Sequence, residues 1–216
     1  MPGRETHKRR TRRRPEDAEA EIAAAAEGLL RRVPLHALTV SAIMRETTLS
    51  RNAFYVYFAD RYELLARVMK PVLDRLDRAN ALFREGGGDL VEDGRSALRQ
   101  VAEICREEGP ILRAVREASA YDADARAIWE GISDTTVGAF SERVTQAIAE
   151  GTMLPVDPEP TIRALIGMDL SVLLSEPDDS SDADWARLVE ALLVIWSRTL
   201  LPPGRDLGRT RERRRR

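Results

Sequence analysis

The chain has 216 residues, of which 43% are hydrophobic and 32% charged, so it can bury a core as one large or two small domains and remain soluble. No stretch approaches the roughly eighteen uninterrupted apolar residues of a membrane-spanning helix, and the basic N-terminus lacks the apolar core of a secretory signal. One cysteine and two histidines argue against a disulfide framework and against a Cys- or His-based metal site. We therefore predict a cytoplasmic protein with neither metal nor cofactor.

The small net charge of −2 conceals an uneven distribution along the chain. Residues 1–81 contain 16 Arg and Lys against 11 Asp and Glu, residues 82–204 contain 11 against 23, and residues 205–216 contain 7 against 2. A cationic first segment on an acidic body indicates that the first segment binds a polyanion while the body has another role.

Apolar residues recur at helical spacing almost throughout, with Gly or Pro between the runs. We predict an all-α fold of about nine helices and no strand, with helices at residues 15–32, 40–47, 51–57, 61–84, 92–107, 110–119, 122–150, 158–175 and 182–200. Pro71 should bend the fourth helix, and Gly109-Pro110 should separate the fifth from the sixth. The three glycines at 86–88 are the expected flexible joint.

Two of the predicted helices are short and lie close together in the sequence. Each is preceded by a hydroxyl residue that can cap it, Thr39 and Ser50, and a turn of three residues separates them. This arrangement is a helix-turn-helix, in which the first residues of the second helix face base edges in the DNA major groove. Here those residues are Arg51, Asn52 and Ala53; arginine can read guanine, and asparagine can read adenine.

Four aromatic residues complete the second short helix. Helical spacing places Phe54 and Phe58 on the inner face. Because Tyr55 and Tyr57 cannot both be buried beside them, at least one tyrosine hydroxyl should point outward toward phosphate. Asp60 is predicted to cap the next helix, and Arg61 adds a cation at its start, where backbone amides can bind anions.

Residues 38–65, LTVSAIMRETTLSRNAFYVYFADRYELL, resemble the helix-turn-helix signature of TetR-family transcriptional repressors. One departure lies in the turn, where the family has a small Ala-Gly pair and this chain has Thr47-Thr48. Because glycine closes such a turn with a positive φ at little cost, Thr48 must be either strained or in another conformation. The family's lysine at the start of the fourth helix is Arg61 here, which keeps the positive charge.

The resemblance implies a homodimer that places two recognition helices in successive major grooves of a near-palindromic operator. It also implies that phosphate contacts set the register on DNA, while the three residues after Ser50 read the sequence. Such a protein would be associated with the nucleoid. The implied DNA contacts come from Thr39, Ser50, Arg51, Asn52, Ala53, Tyr55, Tyr57 and Arg61.

In this family the body of the protein holds a ligand cavity and the dimer surface. The C-terminal half loosely resembles the body of EthR-like repressors, at Ile128-Trp129, Met168-Asp169 and Val194-Ile195-Trp196-Ser197. A small, apolar ligand in the body would favour a conformer whose recognition helices no longer fit one operator.

Large apolar residues on separate helices of the body can line one cavity, with a single polar anchor among them. Asp169 lies in an otherwise apolar stretch, and a buried carboxylate needs a partner because its burial alone is costly. The predicted ligand-binding residues are Ile104, Trp129, Phe140, Leu165, Met168, Asp169 and Trp196. Alternatively, these side chains form a plain core, and Asp169 lies at the surface or in a dimer interface.

The last two helices carry more apolar surface than one packing face requires, which predicts a dimer interface through residues 158–175 and 182–200. We accordingly divide the chain into four segments with different roles. These are a disordered basic arm (1–14), a helix-turn-helix DNA-binding domain (15–84), a helical ligand-binding and dimerisation domain (85–204) and a disordered basic tail (205–216).

Two other classes of function compete with a ligand-responsive DNA-binding repressor. An enzyme has no support, because the sequence contains no Gly-rich phosphate loop, no metal-ligand spacing and no Ser/His/Asp set. The alternative is a helical adaptor that binds partner proteins through its acidic body.

Overall fold

The structure is a computed structural model that describes residues 14–86 and 89–203, and within these ranges it contains helices and no strand. This confirms the all-α prediction. The helices are α1 (Pro15–Leu30), α2 (Val40–Arg45), α3 (Arg51–Tyr57), α4 (Arg61–Glu85), α5 (Leu90–Ala118), α6 (Ala123–Ala149), α7 (Pro158–Leu173) and α8 (Asp182–Leu200), with a short 3-10 helix at Leu35–Ala37. None of these helices is long and apolar enough to cross a membrane.

The predicted break at Gly109-Pro110 is wrong, because α5 continues through both residues and replaces two predicted helices. A proline inside a helix costs about 3 kcal/mol, since it removes one backbone hydrogen bond and crowds the preceding turn. The residues on either side of the proline are buried, among them Cys105, Ile111 and Leu112. Each buried apolar side chain contributes roughly 1.5–3 kcal/mol, so continuous packing outweighs the local cost.

The chain divides into two compact units, residues 1–68 and 69–216, and the boundary falls inside α4. The assignment of DNA binding to residues 15–84 and of ligand binding and dimerisation to residues 85–204 stays a prediction. The predicted basic arm, apart from Arg14, and the predicted basic tail lie outside the described residues.

The first unit has a single apolar core that α1 shares with the helix-turn-helix. Ile22 of α1, Ile43 of α2 and Phe54 of α3 are fully buried in it. Leu64 and Leu65 at the start of α4 are buried as well. The short α2 and α3 are therefore held by packing, because helices of six and seven residues are too short to be stable alone.

The second unit packs α5, α6, α7 and α8 against one another. Side-chain caps fix where three of these helices begin: Asp89 accepts from the Val91 amide, Asp122 accepts from two amides, and Ser181 forms a capping box with Asp184. Asp169 of α7 is buried in this unit and lines a cavity.

Candidate nucleic-acid interface and ligand cavity

The turn between α2 and α3 is closed by a side chain of α1. Glu21 Oε1 accepts hydrogen bonds from both the backbone amide and the hydroxyl of Thr48, at 2.6 and 2.9 Å. Among the described residues no amino acid other than glycine has a positive φ. Thr48 therefore takes the second conformation that the sequence allowed, and its hydrogen bonds to Glu21 replace the left-handed glycine of the family pattern.

The two predicted caps of the helix-turn-helix have different outcomes. Thr39 caps α2, because its hydroxyl accepts a hydrogen bond from the Ala42 amide at 3.1 Å. Ser50 occupies the N-cap position of α3 with an extended backbone, but its side chain makes no capping hydrogen bond, so that prediction is wrong. Backbone geometry alone starts α3, and the exposed Ser50 hydroxyl stays available to a ligand.

The first residues of α3 form an exposed tip. Arg51 and Asn52 are exposed, and Ala53 is half-buried. The side chains of Arg51 and Asn52 make no hydrogen bond or ion pair to any described residue. Phe54 is 0% exposed and Phe58 is also buried, as the helical spacing predicts, so the inner face anchors the tip from behind.

Val56 is a surface residue of α3 that the sequence reasoning missed. Its exposed fraction is 75%, the largest of any bulky apolar side chain among the described residues. The signal was present in the spacing, because Val56 lies four positions after Asn52 and on the face opposite Phe54 and Phe58. Asn52 and Val56 thus share the outward face of the recognition helix.

The predicted phosphate-contacting residues lie around this helix in different environments. Tyr55 is 58% exposed and packs its ring edge against Phe54, whereas Tyr57 is half-buried. Arg61 is half-buried, and its guanidinium lies 4.6 Å from the centroid of the Tyr62 ring. Arg61 therefore has to leave this ring, or share it, in order to contact a phosphate.

The beginning of α4 is capped by a carboxylate, as the sequence predicts. Asp60 Oδ1 accepts from the amides of Tyr62 and Glu63 at 2.8 and 2.9 Å, and Glu63 accepts from the Ala59 amide at 2.6 Å. These three amides are already paired with negative side chains. A DNA phosphate at this helix end would have to compete with Asp60, which makes α4 a weaker anion site than the sequence suggests.

The second unit contains a cavity of about 70 Å³ with a mostly apolar wall. The helices α4 to α8 all contribute to the wall. Three of its residues have polar side chains, and none of its residues is basic. The polar residues are Asn80 of α4, Thr136 of α6 and Asp169 of α7.

Three of the seven residues predicted to bind a ligand line this cavity: Phe140, Asp169 and Trp196. The other four do not. Ile104 and Leu165 are buried elsewhere in the core, and Trp129 and Met168 are half-buried. Sequence reasoning missed the residues that α4 and the start of α5 supply, because nothing in the sequence shows which face of each helix borders a cavity.

Asp169 lies at this cavity with an exposed fraction of 5%. The indole Nε1 of Trp196 donates a hydrogen bond to Asp169 Oδ2 at 2.9 Å. Burial raises the pKa of Asp169 to about 7, and the Trp196 hydrogen bond opposes this shift by favouring the charged form. Burial first, and then the negative charge of Asp169, raise the pKa of the Cys105 thiol to about 12, which makes Cys105 unreactive.

The predicted dimer helices use most of their apolar residues inside the chain. Six apolar side chains on α7 and directly after it are buried, namely Ile162, Leu165, Ile166, Leu170, Leu173 and Leu174. On α8, Trp185, Val189, Leu192 and Leu193 are buried, Leu188 and Trp196 are half-buried, and Ile195 is exposed. The outer face of α7 is made of small residues, including Ala164, Gly167 and Ser171.

Comparison with known proteins places this architecture among bacterial regulators. The family profile described as "Bacterial regulatory proteins, tetR family" matches residues 22–68, which contain the helix-turn-helix. The HTH-type transcriptional regulator EthR of Mycobacterium tuberculosis is 24% identical over 187 residues, covering 84% of this chain and 86% of EthR.

Solved structures show the same fold. A TetR-family regulator from Mesorhizobium loti superposes with a TM-score of 0.67 at 14% identity, covering 88% of this chain and 100% of that one. The SmeT–triclosan complex superposes with a TM-score of 0.66 at 20% identity, covering 87% of this chain and 93% of SmeT.

Proposed function

Because this chain belongs to the TetR family of bacterial regulatory proteins, whose members are DNA-binding regulators and not enzymes, we propose that it represses transcription as a homodimer on a near-palindromic operator. A small, mainly apolar ligand in the second unit releases it from DNA. The observation that carries the proposal is the exposed tip of α3, where Arg51 and Asn52 project without partners among the described residues. The site of action is the nucleoid, in the cytoplasm.

The tip of α3 has the chemistry of a base reader. Arg51 can donate two hydrogen bonds to guanine, and Asn52 can exchange two with adenine. Val56 adds an exposed branched alkyl group on the face of Asn52, which suits contact with a thymine methyl. Ala53 is small enough to let the helix approach the groove closely.

Hydroxyl and cationic groups beside the tip suit contact with the DNA backbone. Thr39 and Ser50 are exposed at the beginnings of α2 and α3, and Tyr55 is exposed on α3. Tyr57 and Arg61, both half-buried, would complete the set of phosphate contacts. Such contacts set the register of the protein on the duplex and carry little sequence information.

The cavity of the second unit supports a ligand-responsive role. Its wall is apolar except for a few polar groups, which is the usual character of a small-molecule site. Leu76, Asn80 and Phe83 of α4 lie in this wall, and the same helix begins in the first unit. A ligand that binds more tightly to conformers in which α4 is displaced therefore shifts the population of DNA-binding conformers. The shift is no larger than the difference between its affinities for the two conformers.

The outer faces of α7 and α8 support the dimer. Small residues on α7 let another helix approach closely, and Ile195 of α8 offers an exposed apolar contact. Ile195→Glu should shift the protein from dimer to monomer in analytical ultracentrifugation. Arg187→Ala, a change of another exposed α8 residue, is the matched control.

A gel-shift experiment on the DNA that flanks the gene encoding this protein tests the DNA-binding role. Wild-type protein should retard this DNA in the presence of mixed-sequence competitor, and Arg51→Ala should lose the preference. Arg187→Ala should behave as wild type, because this exposed arginine lies on α8. Two results together would contradict specific repression and favour the adaptor: the mixed-sequence competitor abolishes binding, and the Arg51→Ala substitution leaves binding unchanged.

A further inference from the structure

Two buried hydrogen-bond acceptors border the cavity without a donor. Asp169 is 5% exposed, and its Oδ1 atom has no hydrogen-bond partner although Oδ2 accepts from Trp196. Asn80 is 2% exposed; its amide nitrogen donates to Thr136 Oγ1 at 2.9 Å, while its Oδ1 atom has no partner. The Thr136 hydroxyl does not supply the missing donor, because it donates to the Ile132 carbonyl at 3.0 Å.

A buried polar atom without a partner is unfavourable, and native proteins contain few of them. When Asp169 is ionised, both unpaired oxygens are acceptors at one cavity, which favours an occupant that supplies donors. A purely apolar ligand would leave both oxygens unsatisfied.

The charge of the wall narrows the class of ligand further. Asp169 can be negative, while no arginine, lysine or histidine lies among the residues that line the cavity. Asp169 and Arg113 both act electrostatically on the Cys105 thiol, which stays neutral. A buried carboxylate with one neutral donor favours a cation as its second partner.

We propose, building on the ligand-responsive role proposed above, that this cavity binds an amphiphilic primary or secondary amine. The protonated nitrogen donates hydrogen bonds to the free oxygens of Asp169 and Asn80, and the alkyl part lies against the apolar wall. Phe83 and Phe140 stack with their ring centroids 4.2 Å apart in this wall, and Trp196 lies beside Phe140. A cavity of about 70 Å³ holds the ammonium head group and the first carbons of the chain, so a six-carbon chain has to widen the cavity as it binds.

The protonation of Asp169 supplies an independent readout. Its pKa of about 7 means that a sizeable fraction is protonated at neutral pH, and a bound ammonium ion must lower that pKa. Amine binding should therefore release a proton below pH 7, and the affinity should fall about tenfold for each pH unit well below 7. A neutral ligand has no such dependence.

The test uses titration calorimetry on the full chain with three probes of one chain length: hexylamine, hexan-1-ol and hexyltrimethylammonium. Hexylamine should bind at least tenfold more tightly than the other two, since the alcohol has no charge and the quaternary ion has no N–H donor. Equal affinities of the three probes, or no binding of hexylamine, would overturn the proposal.

Two variants locate the site. Asp169→Asn keeps the acceptor for Trp196 and removes the charge, so it should weaken hexylamine at least tenfold and leave hexan-1-ol unchanged. Met168→Ala, a neighbour on α7 outside the cavity wall, should bind hexylamine as wild type does. Unchanged hexylamine affinity in Asp169→Asn would overturn the assignment, and the probe comparison in the wild-type chain needs no variant to fold.

A parallel gel shift separates this proposal from the proposed function. If hexan-1-ol binds and releases DNA while hexylamine does neither, the amine class is overturned and ligand sensing stands. If hexylamine binds through Asp169 and DNA binding is unaffected, the amine site is supported and ligand-controlled release is contradicted.

Discussion

The two units of this protein contrast in how their candidate sites are built. In the first unit, the candidate base-reading residues lie together on α3, a helix of seven residues. The buried Phe54 and Phe58 fix which face of that helix points outward. In the second unit, the cavity draws its wall from five helices that are distant in the sequence. A local motif can specify the first kind of site, whereas only tertiary packing specifies the second.

The contrast extends to polar groups. At the recognition helix Arg51 and Asn52 are exposed, so water satisfies them at little cost before DNA binds. At the cavity Asn80 and Asp169 are buried, and each has an oxygen without a partner. The first site is therefore ready at no cost in folding, while the second lowers the stability of its unit in the absence of a ligand.

The largest expected effect tests whether the inner face of α3 anchors the tip. Phe54→Ala removes a fully buried ring and should lower the free energy of unfolding of the first unit by about 3–5 kcal/mol. Chemical denaturation followed by circular dichroism measures this change, and DNA binding should be lost with it.

Val56→Ala is the matched control on the same helix. Because Val56 is exposed, its truncation should change the free energy of unfolding by no more than about 0.5 kcal/mol. It should instead weaken binding to sites with a contacted thymine more than to the same sites with cytosine. Equal destabilisation by the two variants would mean that α3 does not face the core as described.

Much of the fold was predictable because helical periodicity and caps are local signals. Thr39 and Asp60 mark the beginnings of α2 and α4 in the sequence, and both cap those helices in the structure. The predicted helix break at Gly109-Pro110 is wrong, because the burial of the residues around it is a property of the whole unit and not of the local sequence. The cavity illustrates the same limit: Asp169 stood out as a carboxylate in an apolar run, whereas Asn80 on α4 did not.

The next effect tests the cost of burying Asp169. Its pKa is about 7 in the folded protein against 3.8 ordinarily, so the folded state holds the proton more tightly. The stability that this proton contributes is complete below pH 3.8 and is lost as the pH rises to about 7. By pH 8 the loss should be on the order of 4 kcal/mol.

Comparing Asp169→Asn with wild type isolates this effect from all other titrating groups. The variant should be more stable than wild type at pH 8, and the difference should shrink steadily toward pH 4. Denaturant titrations at four pH values measure it. A constant difference across that range would show that Asp169 is not buried in the unliganded protein.

A smaller effect concerns base reading. Arg51→Ala and Asn52→Ala should each cost about 1–3 kcal/mol on the best site and relax the preference at one base pair. Tyr55→Phe removes a hydroxyl placed for phosphate, so it should weaken binding to all sequences alike. Fluorescence anisotropy with single-base variants of the site distinguishes the two patterns, and a uniform loss in Arg51→Ala would assign that residue to the backbone.

The smallest effect concerns the turn that joins the two short helices, where the sequence departs from the family. Thr48→Gly restores the family's glycine, yet it should destabilise this protein by about 1 kcal/mol. The substitution deletes the hydroxyl that donates to Glu21 and adds freedom to the unfolded chain, while the backbone here needs no positive φ. A gain in stability, measured by denaturant unfolding, would mean that residue 48 does adopt the left-handed conformation.

Glu21→Gln should cost less than Thr48→Gly, because the amide oxygen can still accept from Thr48. A larger cost would show that the charge of Glu21, and not its geometry, closes the turn.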